Sequence, residues 1–165
     1  MPKLKITPTE IANYTTMLDS TPRQLASLTA DLNDAQLQYA ASEKDWSLTQ
    51  ILAHLRSCDA LWTYSIYAML AHATPTLPLL DERTWAKTTR YADSPFHASL
   101  QSFTLARTEL INVLRQLPEP AWSRSAVIEG RTHTVFSQAR RMALHESEHL
   151  SQVASFLAAL PSNAS

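Results

Sequence analysis

A single glycine, Gly130, occurs in 165 residues. Average usage near 7% would supply about eleven or twelve. Backbone conformations with positive φ are therefore sparse here, because glycine is the residue that reaches them without steric cost. One glycine cannot build a P-loop or a G-x-G-x-x-G nucleotide turn. The Gly-rich turns of a many-stranded all-β domain are missing too. Frequent Ala, Leu, Gln and Glu favour helices instead.

Apolar spacing divides the chain into four helical stretches. In the first, Thr9 to Asp31, the stripe Ile11, Tyr14, Leu18, Leu25, Leu28 and Leu32 keeps its phase across Pro22. That pattern predicts one kinked helix in which Pro22 removes a backbone bond to Leu18. The second opens at Ser47, where Ser47 and Gln50 form a capping box, and runs to about Ala73 along Leu48, Ile51, Leu55, Cys58, Trp62, Ile66 and Met69. A long crossover, 74–95, follows, with a short helix expected within 81–91. The third stretch begins with Ser94 as N-cap and Pro95 at the first helical position, and its apolar face is Leu100, Phe103, Ala106, Leu110, Val113 and Leu117. A loop, 118–133, leads to the fourth helix, which runs to Leu160 and is closed by Pro161. No strand pattern is evident. The fold class is all-α, a four-helix bundle, with residues 1–165 as one domain.

Charge narrows the function. Fourteen Lys plus Arg against fifteen Asp plus Glu give a net charge of −1. There is no basic footprint for nucleic acid or an anionic membrane. Cys58 is the one cysteine, which excludes an internal disulfide and fits a reducing compartment. The opening MPKLKITPTE has no signal-peptide core, and no apolar run spans a bilayer. A cytoplasmic protein is expected.

The chemistry concentrates on the fourth helix. Val135, Gln138, Met142, His145, His149, Gln152 and Phe156 recur at heptad a and d spacing, which puts two histidines in one inward seam. Four residues apart, their rings lie one turn apart on one face and can chelate one ion. His54, on or beside the apolar face of the second helix, completes a three-histidine set. The bland alternative is three core histidines, each hydrogen-bonded to a neighbour. Three neutral imidazoles suit Zn, Ni or Fe and leave a position for water or substrate. Cys58, one turn from His54, is within reach, but its expected role is packing.

His145-Glu146-Ser147-Glu148-His149 also fits H-E-x-x-H, in which the glutamate of a zinc protease is the general base. Only sixteen residues follow His149, none of them His, Asp, Glu or Cys, so the match is read as coincidental and Glu146 as at most a partner or base. Arg107 is placed near the seam of the third helix, to neutralise Glu146 or Glu148, hold an anionic substrate or snorkel to solvent. Trp46 is expected as a hydrophobic staple rather than a substrate platform. Trp62, Trp85 and Trp122 are read as core or interface, and His72, His97 and His133 as surface residues.

Two segments carry a resemblance. DWSLTQILAHLRSCDALW (Asp45–Trp62) and HESEHLSQV (His145–Val153) resemble the conserved segments of the DinB-like, or DinB/YfiT, superfamily. The resemblance covers nearly the whole chain, and the family's three metal-binding histidines fall on His54, His145 and His149. It implies up-down-down-up topology with a long crossover between the second and third helices, a divalent metal (Zn or Ni foremost, then Fe or Mn) and a homodimer. It further implies a small-molecule substrate, in some relatives with a low-molecular-weight thiol as partner. The expected activity is a thiol-dependent S-transferase acting on small electrophiles. The alternatives are a metal-dependent hydrolase and a non-catalytic binding or dimerisation module.

Overall fold

The computed structural model describes residues 6–160. The MPKLK segment and Pro161 lie outside the described residues. Four long helices form the bundle: α1 (Pro8–Thr29), α3 (Leu48–Ala71), α5 (Phe96–Gln116) and α6 (Val135–Ala159). Short helices α2 (Asp34–Gln38) and α4 (Glu82–Thr89) lie in the first two connections. Helices α1 and α3 each pack against α5 and α6. Cross-helix partners fix the directions. Arg56 and Asp59 of α3 meet Ser99 and Arg107 of α5 in rising order, so α3 and α5 are parallel. Trp62 meets Arg141 while His54 meets His145 and His149, so α3 and α6 are antiparallel. The topology is up-down-down-up, with the crossover 72–95 joining the parallel pair.

The capping boxes explain where the helices start. Ser47 and Gln50 exchange backbone bonds at the head of α3, as their spacing predicted. Thr134 and Ser137 do the same for α6. Asn33 and Gln36 cap α2, which the apolar stripes gave no reason to expect. The start of α5 differs by one residue. Ser94 ends a 3₁₀ turn by donating its N–H to Tyr91, and Pro95, with an extended ψ of 135°, is the N-cap.

A small sheet corrects the reading of a strand-free chain. β2 (Ser125–Ile128) and β3 (Arg131–Thr134) form an antiparallel hairpin, and β1 (Thr76–Leu77) from the crossover pairs parallel to β2. The hairpin turns at Glu129 and Gly130, with φ of 50° and 71°. Two positive φ values are what a two-residue type I′ turn requires. The chain's one glycine is thus spent where two β-branched segments reverse. The sheet closes the end of the bundle where α3 stops and α6 starts.

Pro22 sits inside a continuous α1 and is buried. It cannot donate to the carbonyl of Leu18. Arg107 Nη1 of α5 supplies that bond instead, at 3.0 Å. The same guanidinium clasps both oxygens of Glu146 on α6 and reaches Asp59 Oδ1 on α3 at 2.7 Å. One side chain, 1% exposed, therefore ties all four long helices together. Two apolar clusters flank this tie. One extends to the sheet around Leu18, Ile66, Leu110 and Met142, and the other lies at the opposite end around Leu25, Leu52, Leu55 and Phe103.

Candidate functional site

The three histidines selected from the sequence come together. His145 and His149 project one turn apart from α6, and His54 faces them from α3, where the antiparallel packing brings the two helices level. His145 Nε2 lies 3.1 Å from His54 Nε2 and 3.1 Å from His149 Nε2. Ligand nitrogens around one tetrahedral zinc, each about 2.0–2.1 Å from it, are about 3.3 Å apart. These two spacings fit ligands of one small cation, and the His54 and His149 rings lie with centroids 5.0 Å apart.

Protonation points the same way. His149 Nδ1 lies 2.7 Å from Gln152 Oε1, an acceptor, so Nδ1 carries the proton and donates. In the neutral ring that leaves the Nε2 lone pair directed toward His145. Such a bond to the remote ring nitrogen is how proteins orient metal-binding imidazoles. Burial, then the neighbouring His149 and His54, hold His145 well below its ordinary value, at about 4. Burial and His149 lower His54 as well. Near neutrality these two rings are uncharged. Without a cation, His145 Nε2 has a single proton at most to share between two lone pairs, and its buried Nδ1 has no hydrogen-bond partner. A cation would satisfy the three converging nitrogens together.

Two tryptophans enclose the rings. Trp46 stacks nearly parallel to His149, at 6.4 Å and 8°, and tilts against His54 at 5.1 Å. Trp46 also packs on the apolar cluster that includes Ile51, as a staple would, and in addition lines the cleft that opens on His54. Trp62 meets His145 edge-on at 5.0 Å and carries Arg141 on its own face.

Cys58 is a second candidate donor. Its Sγ is 3.6 Å from His54 Nε2, and His54, Cys58 and His145 each offer a ligand atom within 4.8 Å of the others. It also belongs to the apolar core and is 2% exposed. Burial pushes the thiol well above its ordinary value, which disfavours thiolate. The packing role expected for it agrees with that environment.

Glu146 is turned away from the histidines. It is buried against Arg107, so the H-E-x-x-H reading of this residue as a base does not describe its position. Arg107 neutralises Glu146, as one reading of the sequence had it, and is neither solvated nor snorkelling. Its second partner, Asp59, was not foreseen. Burial raises the Asp59 carboxyl against the pull of Arg107, while the two carboxylates hold the guanidinium charged despite its burial. Of the other histidines, His133 is half-buried on β3, and His72 and His97 are exposed and lie outside the cluster.

Comparison with known proteins places the fold and the family. YfiT from Bacillus subtilis, described as a probable metal-dependent hydrolase with an unusual four-helix bundle topology, superposes with a TM-score of 0.84 at 17% identity, over 94% of this chain and 90% of that one. The chain is 22% identical over 151 residues to an Oceanobacillus iheyensis protein named "Putative metal-dependent hydrolase OB0413", covering 90% of this chain and 86% of the relative. No helix among the described residues is long and apolar enough to cross a membrane. The sequence profile of the DinB superfamily matches residues 17–153, and the chain belongs to that superfamily.

Proposed function

We propose that this protein is a metal-dependent hydrolase of small molecules whose His54, His145 and His149 hold one divalent cation through Nε2. The observation that carries the reading is that His145 Nε2 lies 3.1 Å from Nε2 of both His54 and His149, with His149 braced by Gln152. Names given to relatives support hydrolysis ahead of thiol transfer. When bound, a cation held by neutral ligands supplies positive charge that lowers the pKa of a water or thiol beside it. The chain's own residues do the rest. Gln152 fixes the His149 tautomer, Trp46 and Trp62 exclude water from the ring faces, and the cleft beside His54 admits substrate.

Thiol-dependent S-transfer, expected from the family resemblance, would use the same activation on a sulfur nucleophile, so one assay separates the two. Untagged protein and His145→Ala are compared for metal content by plasma mass spectrometry, then assayed on activated esters with and without added thiol. About one metal per chain in the parent and none in the variant is expected, with turnover that needs no thiol. Turnover only with thiol would move the assignment to the transferase. A parent that holds no metal and takes up no added Zn, Ni, Fe or Mn would overturn the metal site and leave a helical binding module. Light scattering tests the expected homodimer.

A further inference from the structure

The cleft that opens on His54 has a volume of about 940 Å³, the size of a small-molecule site. Its charge is unlike the rest of the chain. Lys44, Arg83, Lys87 and Arg90 line it, against one acidic residue, Asp93. Asp93 is already engaged by Arg90, Nε to Oδ2 at 2.5 Å. Lys44, Arg83 and Lys87 make no salt bridge among the described residues. A chain with a net charge of −1 thus gathers three cations without a salt bridge among the described residues on the approach to its histidines.

Helix α4 is built for this. Arg83, Ala86, Lys87 and Arg90 follow 3- and 4-residue steps, which place them on one helix face toward the cleft. Ala86 between the cations keeps the wall low. Asp81 caps the helix start by accepting the Thr84 N–H at 2.7 Å. The helix ends at Arg90 itself, held at a φ of 54° that a residue with a Cβ seldom adopts. Glu82 lines a different cavity with Trp62 and Arg141, and Asp81 feels the charges of Arg83 and Lys87 from the helix start, so the wall's net excess is set by Lys44, Arg83 and Lys87 against these two flanking acids. Lys44, just ahead of the Ser47 cap of α3, lines the same cleft.

We infer that the substrate is a small organic anion whose carboxylate or phosphate is held by Lys44, Arg83 and Lys87, with its reactive end directed at His54 and the adjoining imidazoles. The inference rests on the hydrolase reading for the reactive end, whereas the anion grip stands on the cleft alone. The zinc-loaded protein is titrated by calorimetry with phenyl phosphate and with glutarate, and with phenol and glutaramide as neutral counterparts. At least one anion should bind at least about tenfold tighter than its neutral counterpart, weakening as salt is added. The phosphate and carboxylate arms identify which headgroup the wall prefers. Arg83→Gln/Lys87→Gln should lose about tenfold in anion affinity with zinc content unchanged. Lys44→Gln should also weaken the anion. Anions no tighter than their neutral counterparts, or binding undiminished in the double variant, would overturn the inference. So would anion binding that disappears in zinc-free His145→Ala, because the anion would then sit on the metal and not on the wall. A protein that never takes zinc fails the hydrolase reading, yet the same titration still reads the cationic wall.

Discussion

Two polar clusters lie side by side in this bundle, and they answer burial in opposite ways. Asp59 follows Cys58 on α3, and Glu146 follows His145 on α6, so the ion cluster around Arg107 and the histidine cluster share the same helical turns. In the first, one guanidinium meets two carboxylates and an orphaned carbonyl, and among the described residues its Nε alone lacks a partner. In the second, nitrogens of like character point at one another. The first cluster is complete within the chain and serves the fold. The second, on the reading proposed above, is completed by a cation and serves chemistry. Proximity to a functional motif therefore does not assign a role. Glu146 stands inside H-E-x-x-H and yet belongs to the structural cluster.

The sharpest way to break the comparison is to remove Arg107. Arg107→Leu leaves Glu146 and Asp59 buried without a counter-charge and Leu18 without a donor. A loss of about 3–5 kcal/mol in urea unfolding is expected, the cost of stranding buried charge. Pro22→Ala in that background restores a backbone N–H for Leu18 and should recover about 1–3 kcal/mol. Replacing Arg107, Glu146 and Asp59 together by apolar residues of similar volume should recover most of the rest. If Arg107→Leu costs less than about 1 kcal/mol, the cluster is not what ties the helices together.

Much of this was legible in the sequence, and the exceptions have physical reasons. The long helices were visible because each repeats an apolar stripe at helical spacing, and a capping box is a local signal. His145 and His149 were visible because four residues is one turn. The hairpin was not, because scarcity of glycine argues against a many-turned all-β domain but not against one two-residue turn, which needs a single glycine if a residue such as Glu129 accepts a φ of 50°. Val127, Ile128 and Thr132 around Glu129-Gly130 were the signal that could have found it. The Arg107 tie joins residues up to 89 positions apart and depends on which helices neighbour which, information that no local pattern holds. The second role of Trp46 was hidden for the same reason: a staple is a local expectation, whereas its stacking on His149 is tertiary.

The histidine cluster can be probed without removing a ligand. Gln152→Ala takes away the acceptor that fixes the His149 tautomer. Metal affinity, read by chelator competition, should fall about 10–100-fold, the usual cost of losing such a support. Stability of the metal-free protein should hardly move, since Gln152 is exposed. An equal loss of stability and affinity would mean that Gln152 supports the fold instead of the ligand.

Acid offers a third probe. His145 is held at about 4 in the folded chain against an ordinary 6.5. Between those values the unfolded chain binds more protons, so metal-free protein should lose stability as pH falls from 6.5 toward 4 and show no dependence on this group above 6.5. Urea midpoints at several pH values, compared with His145→Ala, isolate the contribution, because the variant should show a shallower fall. Parallel curves would show that the ring is not held neutral by its burial.

The smallest expected effect decides where the two clusters end. Cys58 sits between them, close enough to His54 for a sulfur ligand and buried enough to be plain core. If the cation is held by three imidazoles, Cys58→Ala removes only a small packed group. About 1 kcal/mol of stability should go, with one metal per chain retained and affinity changed by less than about threefold. Cobalt in place of the native metal gives an independent reading: the parent should lack the near-ultraviolet charge-transfer band of a cobalt–thiolate bond. That band, or loss of the metal in the variant, would give the ligand set as His54, Cys58 and His145. A thiolate at that position would fill one of the places the hydrolase reading leaves open for water and substrate, and His149 would become a residue of the cleft wall, braced by Gln152 for contact with substrate.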